Sequence, residues 1–532
     1  MKIIFFTFIL KLTINYVHNF ALPNEGLYQL NLIHYNDFHA RFEETSLETP
    51  ICHSNDSNCF GGFARLAYAI KELKREKPIS LLLNAGDSFQ GTSWYTLLKW
   101  NITQEFMNLL PHDAHAIGNH DFDDGPEGLA PYLKSLNAPA IAANMDSSDE
   151  PSLEGLYTPY IIIEKMGRKI GIIGVTTTTT EILAPVGKVV FTDPFEAAAL
   201  EAKNLYEMGI DVIILLSHCG YDVDMQIARE YGEHIDIIVG GHSHRDERFS
   251  IPYFTKVRTL GDSKHEVVIV QASAFTKILG NLTVYFDYLG NIVKWEGGPI
   301  VLNRSVPEDE ETKEKLAPYA KLVHESETKS IGFNMVTLRH KDCAYGECGL
   351  GDLLTDAINA YVKSTVKTEY DCISLLQRSN IRTSLLKGSI NQGSLIELFP
   401  YRDFLETFEI KGKYVLDALE MSVSDATSPF DAPWLLQVSG LRVLYNVSQP
   451  EGQRVVSVYI GDGASRSTLD LEKYYQITAP AYLANGGDGY EVLPTQRRNL
   501  RVLDSDQDAL LLYIKQHTPL HIVPDGRITI TH

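Results

Sequence analysis

Positive charge is scarce in this chain: 47 Lys and Arg stand against 68 Asp and Glu, giving a formal net charge of -21 and a pI near 5.3. The resulting field repels polyanions, which argues against nucleic acid or an acidic membrane as partner. An anionic substrate would have to find positive charge locally, and bound metal ions are the obvious supply. Long apolar runs are also missing. Beyond the first residues no stretch approaches about 18 consecutive apolar residues, so no membrane-spanning helix is expected. The final DGRITITH carries no hydrophobic tail, which speaks against a glycolipid anchor. Cysteine is rare, with six in 532 residues. Cys52 and Cys59 lie in a polar loop and Cys343 and Cys348 bracket a short turn, spacings that permit local disulfides in an oxidising compartment. Cys219 and Cys372 adjoin apolar strands and are expected to be free and buried.

A chain of 532 residues, 44% hydrophobic and 22% charged, is globular and too long for one ordinary core, so two domains are expected. Residues 1–21 read as a secretory signal: Lys2, an apolar run from Ile3 to Leu10, then a less apolar stretch ending at Ala21. Sequons at Asn55, Asn101, Asn281, Asn303 and Asn446 are consistent with secretion.

The chemistry concentrates where apolar strands run into Asp, Asn or His. Residues 27–36 read as a strand that ends in Asp37-Phe38-His39, whose first and third side chains would share one face. An amphipathic helix is expected over 63–74, then a buried strand over 79–83 leading into Asn84-Ala85-Gly86-Asp87-Ser88, where Asp87 could instead be a helix N-cap or turn residue. Residues 114–117 run into Gly118-Asn119-His120-Asp121-Phe122-Asp123. Asn119 there would offer a ligand oxygen, and His120 would face the substrate with its ring oriented by Asp123; a turn is the bland alternative. A strand is expected over 138–145, a hairpin over 160–176 turning at Gly167, and a helix over 194–208. Strands over 211–216 and 235–239 run into Ser217-His218 and Gly240-Gly241-His242-Ser243-His244. In open α/β folds the loops after strands meet in one crevice. Seven N and O ligands exceed one tetrahedral ion and suit two ions sharing a carboxylate.

The motifs YNDFHAR, NAGDSFQGT, GNHDFD, SHCG and GGHSH, in this order, resemble those of the 5′-nucleotidase and apyrase family, calcineurin-like metallophosphoesterases. The resemblance spans nearly the whole mature chain. It implies an α/β fold, with a four-layer α/β-β/α metallophosphoesterase domain over 22–306, a linker helix over 307–330 and an α+β nucleotide-binding domain over 331–532. It implies that Asp37, His39, Asp87 and His244 hold one divalent ion, usually zinc, and that Asp87, Asn119, His218 and His242 hold a second. His120 with Asp123 would then stabilise charge on the phosphoryl group in transfer.

In the second half a helix is expected over 351–362 and a strand over 372–376, running into Gln377-Arg378-Ser379-Asn380-Ile381-Arg382. Family members commonly carry NGGGIR at this place. This chain keeps Arg382, has Gln377 for the Asn and lacks the three glycines. Ala344 stands where vertebrate 5′-nucleotidases have Arg, and a lost guanidinium removes a bidentate phosphate contact. The stretches LFPY and AYLANGGDGY imply that Tyr401 and Tyr482 sandwich the base while Asp488 binds the ribose, although tyrosines are more often packing residues. The altered arginine and glycine loop departs from the AMP-cleaving enzymes, and the chain without an anchor tail resembles the secreted salivary apyrases of blood-feeding arthropods, which implies cleavage of ATP and ADP to AMP and removal of the ADP that activates platelets. A 5′-nucleotidase acting on AMP, a hydrolase of nucleotide sugars or cyclic nucleotides, and a non-catalytic secreted binding protein are the alternatives.

Overall fold

The computed structural model describes residues 27–46, 52, 58–244, 254–260, 265–381, 383–399, 402–424, 434–461 and 466–531. The expected signal segment, the sequon at Asn55, and both Arg382 and Tyr401 lie outside them.

Two sheets form the first half. One holds β1 (Tyr28–Tyr35), β2 (Ser80–Asn84), β3 (Ala114–Ala116) and β4 (Ala140–Ile141) side by side and parallel, with antiparallel Ile278–Phe286 and Ile292–Gly297 completing the edge beyond β1. The other holds β5 (Tyr160–Lys165), β6 (Arg168–Thr176), β7 (Val212–His218) and β8 (Ile237–Gly240), then Glu266–Gln271 and Phe254–Arg258. β5 and β6 form the hairpin expected around Gly167, whose positive φ of 78° suits a residue without Cβ.

The sheets pack face to face through Leu30, Leu32, Leu81 and Leu83 of one and Ile170, Ile172, Ile214 and Val239 of the other. Helices cover both outer faces. Phe63–Glu76 and Ser93–Met107 lie over the first sheet, and Pro194–Glu207 over the second through Ala198, Ala202 and Leu205. This is the four-layer arrangement the motifs imply. With both faces covered, even Asn31 and His34 of β1 are buried, and Asn31 survives there by accepting from Thr283 Oγ1 at 3.0 Å and donating to the Ile79 carbonyl at 3.2 Å.

One expected element differs. Residues 138–145 form two short pieces, Ala140–Ile141 in the first sheet and Met145–Asp146 paired elsewhere, because the chain here crosses between layers. Its backbone bonds go to both sides, Ala142 N–H to Thr158 O and Ala143 N–H to Gly174 O, and Asn144 clamps Thr176.

The helix Glu310–Glu327 begins at Asp309, whose carboxylate accepts from Thr312 N–H. It was expected as an exposed linker. Most of it is exposed, but Leu316 and Val323 insert into the core of the first half, and Lys71 pairs with Asp309 at 2.8 Å. The helix is therefore fastened to the first half. Beyond it, a five-stranded sheet is built around Cys372–Gln377, Tyr474–Pro480 and Phe404–Lys411, with Leu436–Ser439 at one edge and Arg498–Ser505 at the other. Helices Gly349–Thr365 and Asp506–His517 pack beside it. Both expected disulfides are present, Cys52–Cys59 and Cys343–Cys348, and Cys219 and Cys372 are free and buried.

Candidate metal centre and substrate cleft

The loops leaving β1, β2, β3, β7 and β8 meet at one point. Asp37, His39, Asp87 and His244 offer ligand atoms within 4.8 Å of one another, and so do Asp87, His218 and His242, so that Asp87 belongs to both groups. His244 Nε2 lies 2.9 Å from Asp37 Oδ1 and His218 Nε2 3.0 Å from Asp87 Oδ2. His39 Nε2 stands 3.7 Å from Asp37 Oδ1 and 3.6 Å from Asp87 Oδ2. Asn119 reaches this place through its neighbours: the His120 N–H donates to Asp87 Oδ1 at 2.9 Å.

Asp37 Oδ1, Asp87 Oδ2 and His218 Nε2 are fully buried and face only one another and the neighbouring histidine nitrogens at 2.9–4.0 Å, and Asn119 Oδ1 is fully buried with no hydrogen-bond partner. Crowding buried carboxylates, imidazoles and an unsatisfied amide oxygen onto one point would cost several kcal/mol. A divalent cation removes that cost, and the donor set of imidazoles, carboxylates and an amide oxygen suits one. Protonation agrees. Burial opposes charge on every group, yet the surrounding histidines hold Asp37 and Asp87 below the usual carboxylate range. Burial also keeps His39 and His242 neutral, each pushed down to about 4. Ionised carboxylates and neutral imidazoles are the ligand forms a cation needs, and His218, which burial lowers but Asp87 and Asp37 raise to about 9, would give up its proton on binding one.

The loops are locked from behind. His218 Nδ1 bonds the Ala85 carbonyl at 2.7 Å and His39 Nδ1 the Phe89 carbonyl at 3.2 Å, which turns each Nε2 toward the centre. The second oxygen of Asp37 accepts from His242 N–H at 2.9 Å. Asp37, His39, Asp87, His242 and His244 all have positive φ, between 48° and 74°, so backbone strain is concentrated here. Gly118 is required because a Cβ there would sit 2.1 Å from Asp87 Oδ1.

His120 stands beside this cluster, its ring 5.2 Å from that of His39, with Nδ1 held by Asp123 at 3.0 and 3.2 Å. Burial disfavours its charge, but Asp123 and Asp87 prevail and raise it to about 10, so it is an imidazolium able to donate to an anion.

Two contributors escaped the sequence reading. Asp121 is buried and staples two loops, accepting from Ser88 and Phe89 N–H at 2.8 and 3.2 Å and from Gly118 N–H at 2.9 Å. Its place in GNHD was visible, but its partners were not. Phe275 packs its ring 5.5 Å from His39 and 5.1 Å from His244, and nothing in its local sequence signals that.

A cavity of about 260 Å³ opens from His120 toward the second half, lined by Gln90, Asp123 and Asp124 of the first half and by Arg402, Asp403, Asp504 and Asp508 of the second. Further into the second half, Gln377 is buried at its strand end with Oε1 unpartnered. Asp488 accepts from the Tyr482 hydroxyl at 3.1 Å and from Ser379 Oγ. Tyr482 is 46% exposed, which rejects the reading of this ring as a core aromatic.

Residues 30–246 match the calcineurin-like phosphoesterase family and residues 326–495 the 5′-nucleotidase C-terminal domain. The chain is 38% identical to an apyrase of Tabanus yao over 553 residues, covering 99% of both chains. It is 38% identical to an apyrase of Anopheles gambiae over 520 residues, covering 94% of this chain and 90% of that one. Among solved structures, the 5′-nucleotidase precursor from Thermus thermophilus is 34% identical with a TM-score of 0.74, covering 95% of this chain and 99% of that chain.

Proposed function

Since the chain belongs to the 5′-nucleotidase and apyrase family of metal-dependent nucleotide phosphohydrolases, we propose that it is a secreted apyrase, releasing phosphate from ATP and ADP and leaving AMP. In this reading residues 22–306 form the hydrolytic domain, 307–330 the linker and 331–532 the nucleotide-binding domain. Asp37, His39, Asp87 and His244 would hold one ion, and Asp87, Asn119, His218 and His242 another, zinc being our choice. Bound ions supply positive charge to the phosphoryl oxygens and lower the pKa of water.

The protein's own side chains do the rest. His120 donates from its ring to the oxygens on which negative charge grows, and Asp123 keeps that ring charged and oriented. Asp121 and the backbone carbonyls behind the histidines fix the spacing of the ligand loops, so little reorganisation is needed during reaction. Tyr482 and Tyr401 would enclose the base, Asp488 would exchange its present hydroxyl partners for those of ribose, and Gln377 and Arg382 would contact the nucleotide.

The observation that carries the hydrolytic reading is the convergence of buried carboxylates, imidazoles and the unpartnered Asn119 Oδ1 around Asp87. The intact ligand set and His120 speak against a non-catalytic binding protein on the same fold. Support for apyrase over AMP hydrolysis comes from the loop after Gln377, which lacks the glycines of the AMP-cleaving pattern. Removal of ADP outside cells would suppress platelet aggregation. Among the described residues no helix is long and apolar enough to cross a membrane.

The test is phosphate release from ATP, ADP and AMP separately, with divalent ions restored after chelation. Release from ATP and ADP with AMP accumulating is expected. Rapid release from AMP would move the assignment to 5′-nucleotidase.

A further inference from the structure

The cavity beside His120 is lined by five carboxylates, which makes it a poor place for the phosphates of a nucleotide unless something offsets them. Their partners account for each. Asp123 holds His120, Asp124 accepts from Tyr95 Oη and Lys99 Nζ at 2.8 Å, and Asp504 accepts from the Tyr361 hydroxyl. Asp403 accepts from Tyr482 N–H at 3.0 Å, and Asp508 is bonded by Ser505 Oγ at 2.6 Å.

Arg402 is different. Among the described residues lining the cavity it is the single guanidinium or ammonium group. Its Nε reaches Ser505 Oγ and its terminal nitrogen Asp508 Oδ2, both at 3.4 Å, well beyond the roughly 2.7–2.9 Å of a tight charge-assisted bond. Little is lost if the guanidinium turns to another anion. The backbone at Arg402 is left-handed, with φ of 50°, a conformation unfavourable for Arg, and its side chain lines the same cavity as His120. A cavity of about 260 Å³ holds a phosphate together with several waters of ~30 Å³ each.

We propose that Arg402 binds the phosphate that is not being released, the α-phosphate of ADP, and thereby selects nucleoside di- and triphosphates over monophosphates. His120 would meet the departing phosphoryl group and Arg402 the remaining phosphate. AMP, whose only phosphate is the one released, gives Arg402 nothing to bind. This inference rests on the apyrase reading and names the residue behind it.

The experiment is calorimetric binding of the non-hydrolysable methylene analogues of ADP and AMP to the metal-loaded full chain, alongside kcat/KM for ADP and AMP. Arg402→Ala should weaken the ADP analogue about tenfold more than the AMP analogue, and lower the ADP to AMP ratio of kcat/KM by a similar factor. Arg402→Lys, which keeps the charge but loses the planar fork, should fall between. Equal weakening of both analogues, or of neither, in both variants would overturn the role of Arg402. A wild-type chain that cleaves AMP faster than ADP would instead sink the apyrase reading, while the binding comparison still decides whether Arg402 senses the second phosphate.

Discussion

The two halves of the molecule use opposite strategies to present polar groups. In the first half the functional side chains sit at the ends of buried parallel strands, with Asp37, His39, Asp87, Asn119 and His218 buried and His120, His242 and His244 partly so, and are held by backbone carbonyls and N–H groups that cannot move independently. In the second half Gln377 is buried at a strand end, but Tyr482 lies on the four-residue helix Ala481–Ala484 and Asp488 on the turn that follows it. Tyr482 is half-exposed, Asp488 has a left-handed backbone after Gly486-Gly487, and the partners of Asp488 are hydroxyls that a ligand can displace. A hydrolytic centre must keep its geometry through the reaction, whereas a recognition surface has to let the product leave. The contrast teaches that rigidity here follows chemical task.

That comparison can be broken at several points. The largest effect among single side chains outside the ligand set is expected at His120. His120→Ala should lower kcat by about 10²–10³-fold with little change in KM, as for loss of a donor to developing charge. Steady-state kinetics check this, and a near-normal kcat would remove His120 from the chemistry. Next comes the staple. Asp121→Ala frees the Ser88, Phe89 and Gly118 N–H groups, and should cost about 10–100-fold in metal affinity or activity. Added metal should restore part of that activity, since the ligands themselves remain; a titration with no rescue and no loss of affinity would mean that Asp121 does not position the loops. The smallest effect belongs to the second half. Tyr482→Ala should raise KM roughly tenfold and leave kcat within about threefold, because base stacking is worth about 1–3 kcal/mol. Tyr482→Phe should restore most of the affinity. If Tyr482→Ala depressed kcat as strongly as His120→Ala, the division of labour between the halves would be wrong.

Legibility followed the same divide. The seven proposed ligands were readable because metal chemistry restricts residue types, and strand-end placement supplied a common address without any knowledge of distance. The four layers were implied by the family resemblance, while the buried runs and intervening helices by themselves gave only an alternation of strand and helix. What the sequence hid were contacts whose chemistry is generic. Phe275 looks like any core phenylalanine, and the three backbone bonds of Asp121 depend on two loops meeting. Residues 138–145 misled because an apolar run does not announce that its backbone bonds are shared between two sheets. The linker helix formed where it was expected and is mostly exposed; what composition hid is that two apolar residues among many charges suffice to dock it. In the second half, tyrosines and glycine turns serve packing as often as binding, so only the family resemblance singled out Tyr482 and Asp488.

The central claim is that Asp87 lies between two cation sites. It is tested most directly by elemental analysis of metal bound per chain in the wild-type protein and in Asp87→Ala, after equilibration with the same divalent ion. About two ions per wild-type chain and fewer than one in the variant are expected. Two ions retained in Asp87→Ala would contradict a shared carboxylate, and with it the arrangement on which the hydrolytic reading stands.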